Sequence, residues 1–263
     1  MKRLIYQVYL GKKSKLYDHC TDSVAAYAKR IGADHIVQRT PTLMIAPDPF
    51  TTNRSKESYE KHGGFLPIYE KENAFAYFKE YDQIAIIDAD IYIRTGAPII
   101  FDDLPIGFDF GAVIERSMPI TAQYASKIKN YSNMQYGMNP LKQLFNWHPQ
   151  TGADFYNMGM MVMNKSFSEY LNGQTPMQFL RRPEFKPFID GQGPWKWSTD
   201  QTLLNTFVKE SGMRCKALDW KWNALYKAID DYSVKRAHFV HFFLKDKLPK
   251  HGENVEELMK HVN

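Results

Sequence analysis

Several common protein classes are excluded by what this chain has little of. Its two cysteines, Cys20 and Cys215, cannot build a disulfide framework, and neither stands at a metal-ligand spacing. No apolar run reaches the roughly 20 residues a membrane-spanning helix needs. The opening Met1-Lys2-Arg3 leads into the alternating Leu4-Ile5-Tyr6-Gln7-Val8-Tyr9 instead of a signal-peptide core. These absences predict a soluble, cytoplasmic chain with no membrane span. Basic runs are missing too: the net charge of +5 comes from lysines and arginines spread along the sequence, so no nucleic-acid partner is expected. The mild positive excess suits an enzyme handling anionic phosphates and equally a solvated surface. A phosphate-binding glycine loop is lacking, because Gly11 stands alone after the first strand.

What is present is apolar and aromatic material, 44% and 14% of 263 residues, enough for one large α/β domain over 1–263. Residues 3–10 read as a strand. The stripe Leu16, Cys20, Val24, Ala28 and Ile31 marks a helix over Lys15–Ile31 that Gly32 stops, and residues 35–38 read as a second strand. Strand, helix, strand at this spacing predicts a parallel pair. Residues 40–64 read as an irregular excursion, and 65–81 recover helical periodicity. Further strands are expected at 110–114, 155–164 and 237–243, the last with His238 and His241 on opposite faces. Residues 117–150 predict one or two helices over the sheet. Capping boxes are expected at Ser198-Thr199-Asp200-Gln201, opening a helix to Glu210, and at Asn254 with Glu257.

The chain's chemistry centres on Gln83-Ile84-Ala85-Ile86-Ile87-Asp88-Ala89-Asp90. A strand apolar on both faces belongs in mid-sheet, and its C-terminal end is where open α/β sheets collect ligands. Asp88 and Asp90, one residue apart, can turn oxygens toward one hard cation, or they can solvate a loop. Other candidates have two readings each. Lys71, near the start of the preceding helix, solvates the surface or meets a diphosphate. Asn157, inside an apolar strand, needs partners, either a substrate hydroxyl or the core. Gly159 marks close backbone approach. Asp200 is at least a first-turn acid favoured by its helix dipole. Trp147, Trp195, Trp197, Trp220 and Trp222 can stack on sugars or fill cores.

In their order along the chain, four segments resemble glycosyltransferase family 8, the group of glycogenin and the lipopolysaccharide galactosyltransferases. They are the strand into Asp88-Ala89-Asp90, Asp154-Phe155-Tyr156-Asn157-Met158-Gly159, Asp200-Gln201-Thr202-Leu203-Leu204-Asn205, and Val240-His241-Phe242 with Lys247 six residues after the histidine. Leu244 and Leu248-Pro249 depart from the last motif. The resemblance implies the GT-A fold, a Rossmann-like, mostly parallel central sheet flanked by helices. About 1–115 would be the nucleotide- and metal-binding half, and about 116–263 the half for donor sugar and acceptor.

By the same resemblance, Asp88, Asp90 and His241 would hold a divalent metal, and two carboxylates with one imidazole suit Mn2+ first and Mg2+ second. Val8, Tyr9, Lys71, Ala89 and Lys247 would contact the nucleotide and its diphosphate. Asp154, Asn157 and Gly159 would bind the donor sugar, and Asp200 and Gln201 would flank the anomeric carbon. The implied activity is metal-dependent transfer of a hexose, glucose or galactose, from a UDP-sugar to a carbohydrate, glycoconjugate or protein acceptor with retention. Two rivals remain: a nucleotide-sugar or carbohydrate-binding module without turnover, and a haloacid-dehalogenase-like phosphatase. The phosphatases also end a strand in Asp-x-Asp, but they need a small hydroxyl residue where this chain has Tyr92.

Overall fold

The computed structural model describes residues 1–48, 60, 62–197 and 199–262. Its frame is a six-stranded sheet in the order β2 (Asp34–Gln38), β1 (Arg3–Val8), β3 (Gln83–Ile87), β8 (Tyr156–Asn164), β5 (Phe110–Ile114), β9 (Cys215–Ala217). β1 runs parallel to β2 and β3, and β5 parallel to β9; β8 alone is antiparallel to its neighbours. The run that ends in Asp88 is therefore flanked by β1 and β8, and all five of its residues are buried. Alternation along the strands builds two apolar layers. Ile5, Ala85, Ile87 and Val162 face one, and Leu4, Ile84, Ile86 and Met163 the other.

Helices cover both faces: α1 (Lys15–Ile31), α2 (Ala122–Tyr136), α3 (Pro176–Leu180), α4 (Lys186–Asp190), α5 (Asp200–Glu210), α6 (Asp231–Val234) and α7 (Val255–Val262). α1 buries Leu16, Cys20, Val24 and Ala28 as its stripe predicts, starts on the Ser14 cap and ends at Gly32 in the left-handed region. Thr175 and Gln178 form a reciprocal capping box on α3. Asn254 accepts from Glu257 N ahead of α7. No helix among the described residues is long and apolar enough to cross a membrane.

A second, three-stranded sheet fixes the site. After Asp90 the chain enters β4 (Ile91–Ile93), which pairs antiparallel with β11 (Phe239–His241), and β11 pairs parallel with β10 (Ala224–Leu225). The two strands β6 (Trp147–His148) and β7 (Gly152–Ala153) form a small ribbon. The Asp-x-Asp turn is thus the hinge between the two larger sheets.

Two expectations are corrected. Residues 65–81 do not form an α-helix; Pro67–Lys79 is a run of 3-10 turns. Its polar residues are buried along with its apolar ones, so no single face decides the winding. Glu70 is drawn into a nest of the backbone N–H groups of Thr42, Leu43 and Met44 at 2.8, 3.1 and 2.7 Å, while the adjacent Lys71 is drawn toward the sheet. The cap of α5 is Thr199, whose hydroxyl accepts from Gln201 N; Ser198, and residues 49–59 of the expected excursion, lie outside the described residues.

Ahead of β5, Asp109 is fully buried and accepts from Ser166 Oγ at 2.6 Å, Tyr170 Oη at 3.1 Å and Arg214 N and Nη2 at 2.8 Å each. Burial opposes its charge, but these donors outweigh it and hold the carboxyl well below its usual range. Asp109→Ala is expected to cost about 2–4 kcal/mol in urea unfolding at pH 7. A carboxylate depressed in the folded state stabilises above its unfolded pKa, about 3.9, and loses that contribution as pH falls through the folded value. The gap between wild type and variant should therefore narrow below about pH 4.

Candidate active site

Four separate stretches converge at the C-terminal end of β3. The β3/β8 ladder continues one step past the strand, with Asp88 N donating to Gly159 O at 2.8 Å. The β4/β11 register sets His241 opposite Ile91, and Phe242 N donates to Asp90 O at 3.0 Å. A histidine 151 positions after Asp90 is thereby fixed beside it. α5 is tied to the start of β8 because Asn205 exchanges hydrogen bonds with Tyr156, accepting from its N at 2.7 Å and donating to its O at 2.8 Å. Gln201 Oε1 accepts from Met158 N at 3.1 Å.

The result is a cluster of acids around two cations. His241 Nε2 lies 3.3 Å from Asp90 Oδ1 and 4.0 Å from Asp88 Oδ2. Lys71 Nζ lies 2.6 Å from Asp200 Oδ2 and 3.2 Å from Asp88 Oδ1, and donates to Met158 O at 2.9 Å. Burial works against the Lys71 charge, yet Asp200 and Asp88 hold the ammonium above its ordinary range. The same contest raises the imidazole of His241, where burial loses to Asp90 and Asp88. Burial and the neighbouring Asp90 lift Asp88 above the usual carboxylate range against the pull of Lys71, whereas His241 holds Asp90 below it against burial.

Asp88, Asp90 and His241 are the one group of metal-type ligands found among the described residues, with ligand atoms all within 4.8 Å of one another. A hard divalent cation fits this set. Two carboxylates and one imidazole are a suitable donor combination, and the far nitrogen of the ring, Nδ1, is engaged by Asn223 Oδ1 at 3.0 Å, the outer-shell arrangement that orients metal-bound histidines.

The cluster sits between two cavities. One of about 240 Å3 is lined by Val8, Leu10, Tyr17, Pro67, Ile68 and Ala89 together with Lys71, Asp88, Asp90 and Asp200. The other, about 560 Å3, shares those last four and Ile68. It extends past Asn157, Gly159, Gln201 and His241 to one face of α2, where Tyr124, Lys127, Ile128 and Tyr131 stand.

No protein-family model matches this chain, and no curated protein sequence does. Solved structures do. A galactosyltransferase, LgtC, in complex with donor and acceptor sugar analogues aligns over 98% of this chain and 95% of its own at 13% identity, with a TM-score of 0.57. A glycosyltransferase involved in glycosylation of the major capsid of PBCV-1 aligns over 98% of this chain and 100% of its own at 14% identity, TM-score 0.56. The bifunctional glycosyltransferase WbbM aligns over 98% of this chain and 49% of its own at 12% identity, TM-score 0.53. The fold is that of GT-A glycosyltransferases.

Within this GT-A frame, the sequence-derived candidates divide. Val8, Lys71, Asp88, Ala89, Asp90, Asn157, Gly159, Asp200, Gln201 and His241 all line the joined cavities. Three others do not. Asp154 is buried at the far end of the β6/β7 ribbon, where it pairs with Lys209 at 3.1 Å and accepts from Asn146 N at 2.8 Å. Tyr9 is buried and bonded to Ser14 and Asp18, and Lys247 is exposed on the 3-10 turn Lys245–Lys247. Lys245 is the cation of that turn that faces inward, 3.7 Å from the ring centre of Tyr17, and its charge acts on Asp90. Glu115, Asn223 and Tyr124 also adjoin the site, by bonds to Asn157, His241 and each other, and no sequence motif marks them.

Gly159 is demanded by space. A Cβ there would stand 2.3 Å from Cε1 and 2.7 Å from Nδ1 of His241. Gly159→Ala is expected to cost about 1–3 kcal/mol by overpacking and to drive the imidazole from Asp90. Urea denaturation measures the first, and a crystal structure of the variant with an unchanged His241–Asp90 distance would refute the second.

Proposed function

We propose that this protein is a metal-dependent hexosyltransferase that moves glucose or galactose from a UDP-sugar to an acceptor with retention of anomeric configuration. The observation that carries the reading is the Asp88, Asp90 and His241 cluster set beside Asp200 and Gln201 in one cavity of a GT-A fold. The resemblance of four chain segments to glycosyltransferase family 8 supplies the donor, the hexose and the stereochemistry.

In this reading the smaller cavity takes the nucleotide, with Val8 and Tyr17 along its wall, and the larger one takes sugar and acceptor. Asp88, Asp90 and His241 hold Mn2+, or Mg2+ in its place. A divalent cation held by these residues would supply Lewis-acid chemistry, offsetting charge that grows on the leaving diphosphate. Lys71 adds fixed positive charge from a buried position, where it counts for more than in water. Lys245 is better placed than Lys247 to reach the diphosphate, since it packs on Tyr17, a residue that lines the smaller cavity. Asp200, held by Lys71, and Gln201, held by Met158 N, present oxygens beneath the reacting carbon and steady its developing positive charge. Gly159 leaves room for the imidazole of His241, and Asn157 retains one amide hydrogen for a sugar hydroxyl.

The decisive assay offers purified protein a panel of nucleotide sugars with Mn2+ and follows release of nucleoside diphosphate. Turnover of UDP-glucose or UDP-galactose is expected, falling in Asp90→Ala and in Asp200→Asn on the order of a hundredfold or more. Lys245→Ala should raise KM for the donor more than Lys247→Ala does. Tight donor binding without turnover would make the protein a binding module, and turnover of phosphomonoesters alone would make it a phosphatase.

A further inference from the structure

His241 is joined to α2 by a chain of side chains whose direction is fixed without choice. The backbone N–H of Gly159 can only donate, and it points at Asn157 at 3.0 Å, so the atom it meets is Oδ1. The other end of that amide, Nδ2, then faces Glu115 Oε2 at 2.8 Å. Because Asn157 Oδ1 can only accept, the Asn223 atom 2.8 Å from it is Nδ2. This leaves Oδ1 of Asn223 against His241 Nδ1 at 3.0 Å. An amide oxygen accepts, so Nδ1 carries the proton, and in the neutral ring the lone pair of Nε2 faces Asp88 and Asp90. Tyr124 ends the chain from α2 by donating to Glu115 Oε1 at 2.6 Å. All five side chains are at least nine-tenths buried, and Asn223, which joins the ring to Asn157, is fully so, which strengthens these bonds over their counterparts in water.

We propose that Asn223, Asn157, Glu115 and Tyr124 are positioning residues that lock His241 in the Nδ1–H tautomer and thereby set the divalent-cation affinity of the site. The proposal rests on the metal-dependent reading above. It gives Asn157 a duty besides the sugar contact that its sequence context suggests, and it gives Glu115 a task without contact with the ion. Tyr124, Glu115, Asn157 and His241 all border the larger cavity, so the chain runs along the wall that the acceptor would meet.

The test uses the full chain and two readouts that need no turnover. Calorimetry gives the Mn2+ dissociation constant, and long-range 1H–15N NMR of the metal-free protein, above the pH at which the ring titrates, reports the tautomer. Asn223→Leu is expected to weaken Mn2+ binding about 10- to 100-fold and to let the Nε2–H form appear. Asn223→Asp keeps an acceptor for Nδ1–H and should return affinity to within about tenfold of wild type. Tyr124→Phe and Glu115→Leu, which touch neither ring nor ion, should each weaken binding severalfold. Wild-type affinity and an unchanged tautomer in Asn223→Leu would overturn the chain. Should that variant fail to fold, unchanged affinity in both Tyr124→Phe and Glu115→Leu overturns it instead. Wild-type protein that binds no Mn2+ overturns the metal reading, and with it the claim on affinity, even where the Nδ1–H tautomer is observed.

Discussion

The constraint that governs this molecule is a crowding of carboxylates at one point, one of them buried and two partly buried. Asp88, Asp90 and Asp200 meet at the end of β3 with Lys71 and His241 as their ion-pair partners among the described residues, and the charge of Lys245 acts on Asp90 as well. Like charges about 4 Å apart repel by about 4 kcal/mol even at an effective dielectric of 20. Burial and the neighbouring acids push Asp88 toward its neutral form, and Asp90 and Asp88 push His241 toward its charged one against burial. Glu72, fully buried on the same 3-10 run as Lys71, is pushed far upward as well, by burial first and then by Asp200. A divalent cation among Asp88, Asp90 and His241 would supply the missing positive charge and release such protons, which couples its affinity to pH.

The fold can be read as the means of enforcing that convergence. β3 brings Asp88 and Asp90 to the sheet's end, and the β4/β11 pair carries His241 to them. α5 presents Asp200 from the opposite side, and the 3-10 run inserts Lys71 between. Each element is pinned by a bond to a neighbour's backbone made within a turn of the functional group, from main chain at Asp88 and Phe242 and from side chain at Gln201 and Lys71. Asp88 N on Gly159 O, Phe242 N on Asp90 O and Gln201 on Met158 N are of this kind. Pinning the backbone so close leaves the side chains little freedom to separate, which is how the fold sustains the repulsion.

Much of this was legible in the sequence, and the reason differs from element to element. α1 and β3 could be read because local periodicity and burial agree, and the βαβ opening followed from spacing. The acids at the end of β3 could be read because a strand apolar on both faces has one destination. The winding of residues 67–79 could not, since it is decided by Glu70 in the 42–44 nest and Lys71 at the sheet, partners in other parts of the chain. Asp154 shows the limit of a motif. It stands just before β8, where its carboxylate is engaged by Asn146 and Lys209, and a pattern of residues does not specify who answers them. Glu115 and Asn223 were hidden for the same reason, since their bonds to Asn157 span 42 and 66 positions.

The two sides of the larger cavity differ in kind, and the difference bears on how substrates would be told apart. Its floor is made of buried groups with fixed partners, Asp200 on Lys71, Gln201 on Met158 and His241 on Asn223. Its opposite wall is a single helical face of α2, where Tyr124, Lys127, Ile128 and Tyr131 recur at three- and four-residue spacing. Tyr124 spends its hydroxyl on Glu115 and Tyr131 contacts Thr202, so these two offer mainly ring surface to the cavity, and the exposed Lys127 offers charge. Changes on the floor would disturb a network in which every member is needed by another. Changes at Lys127 would disturb nothing but the shape and charge that an incoming molecule meets. In the function proposed above, activation of the donor belongs to the floor and choice of the acceptor to α2.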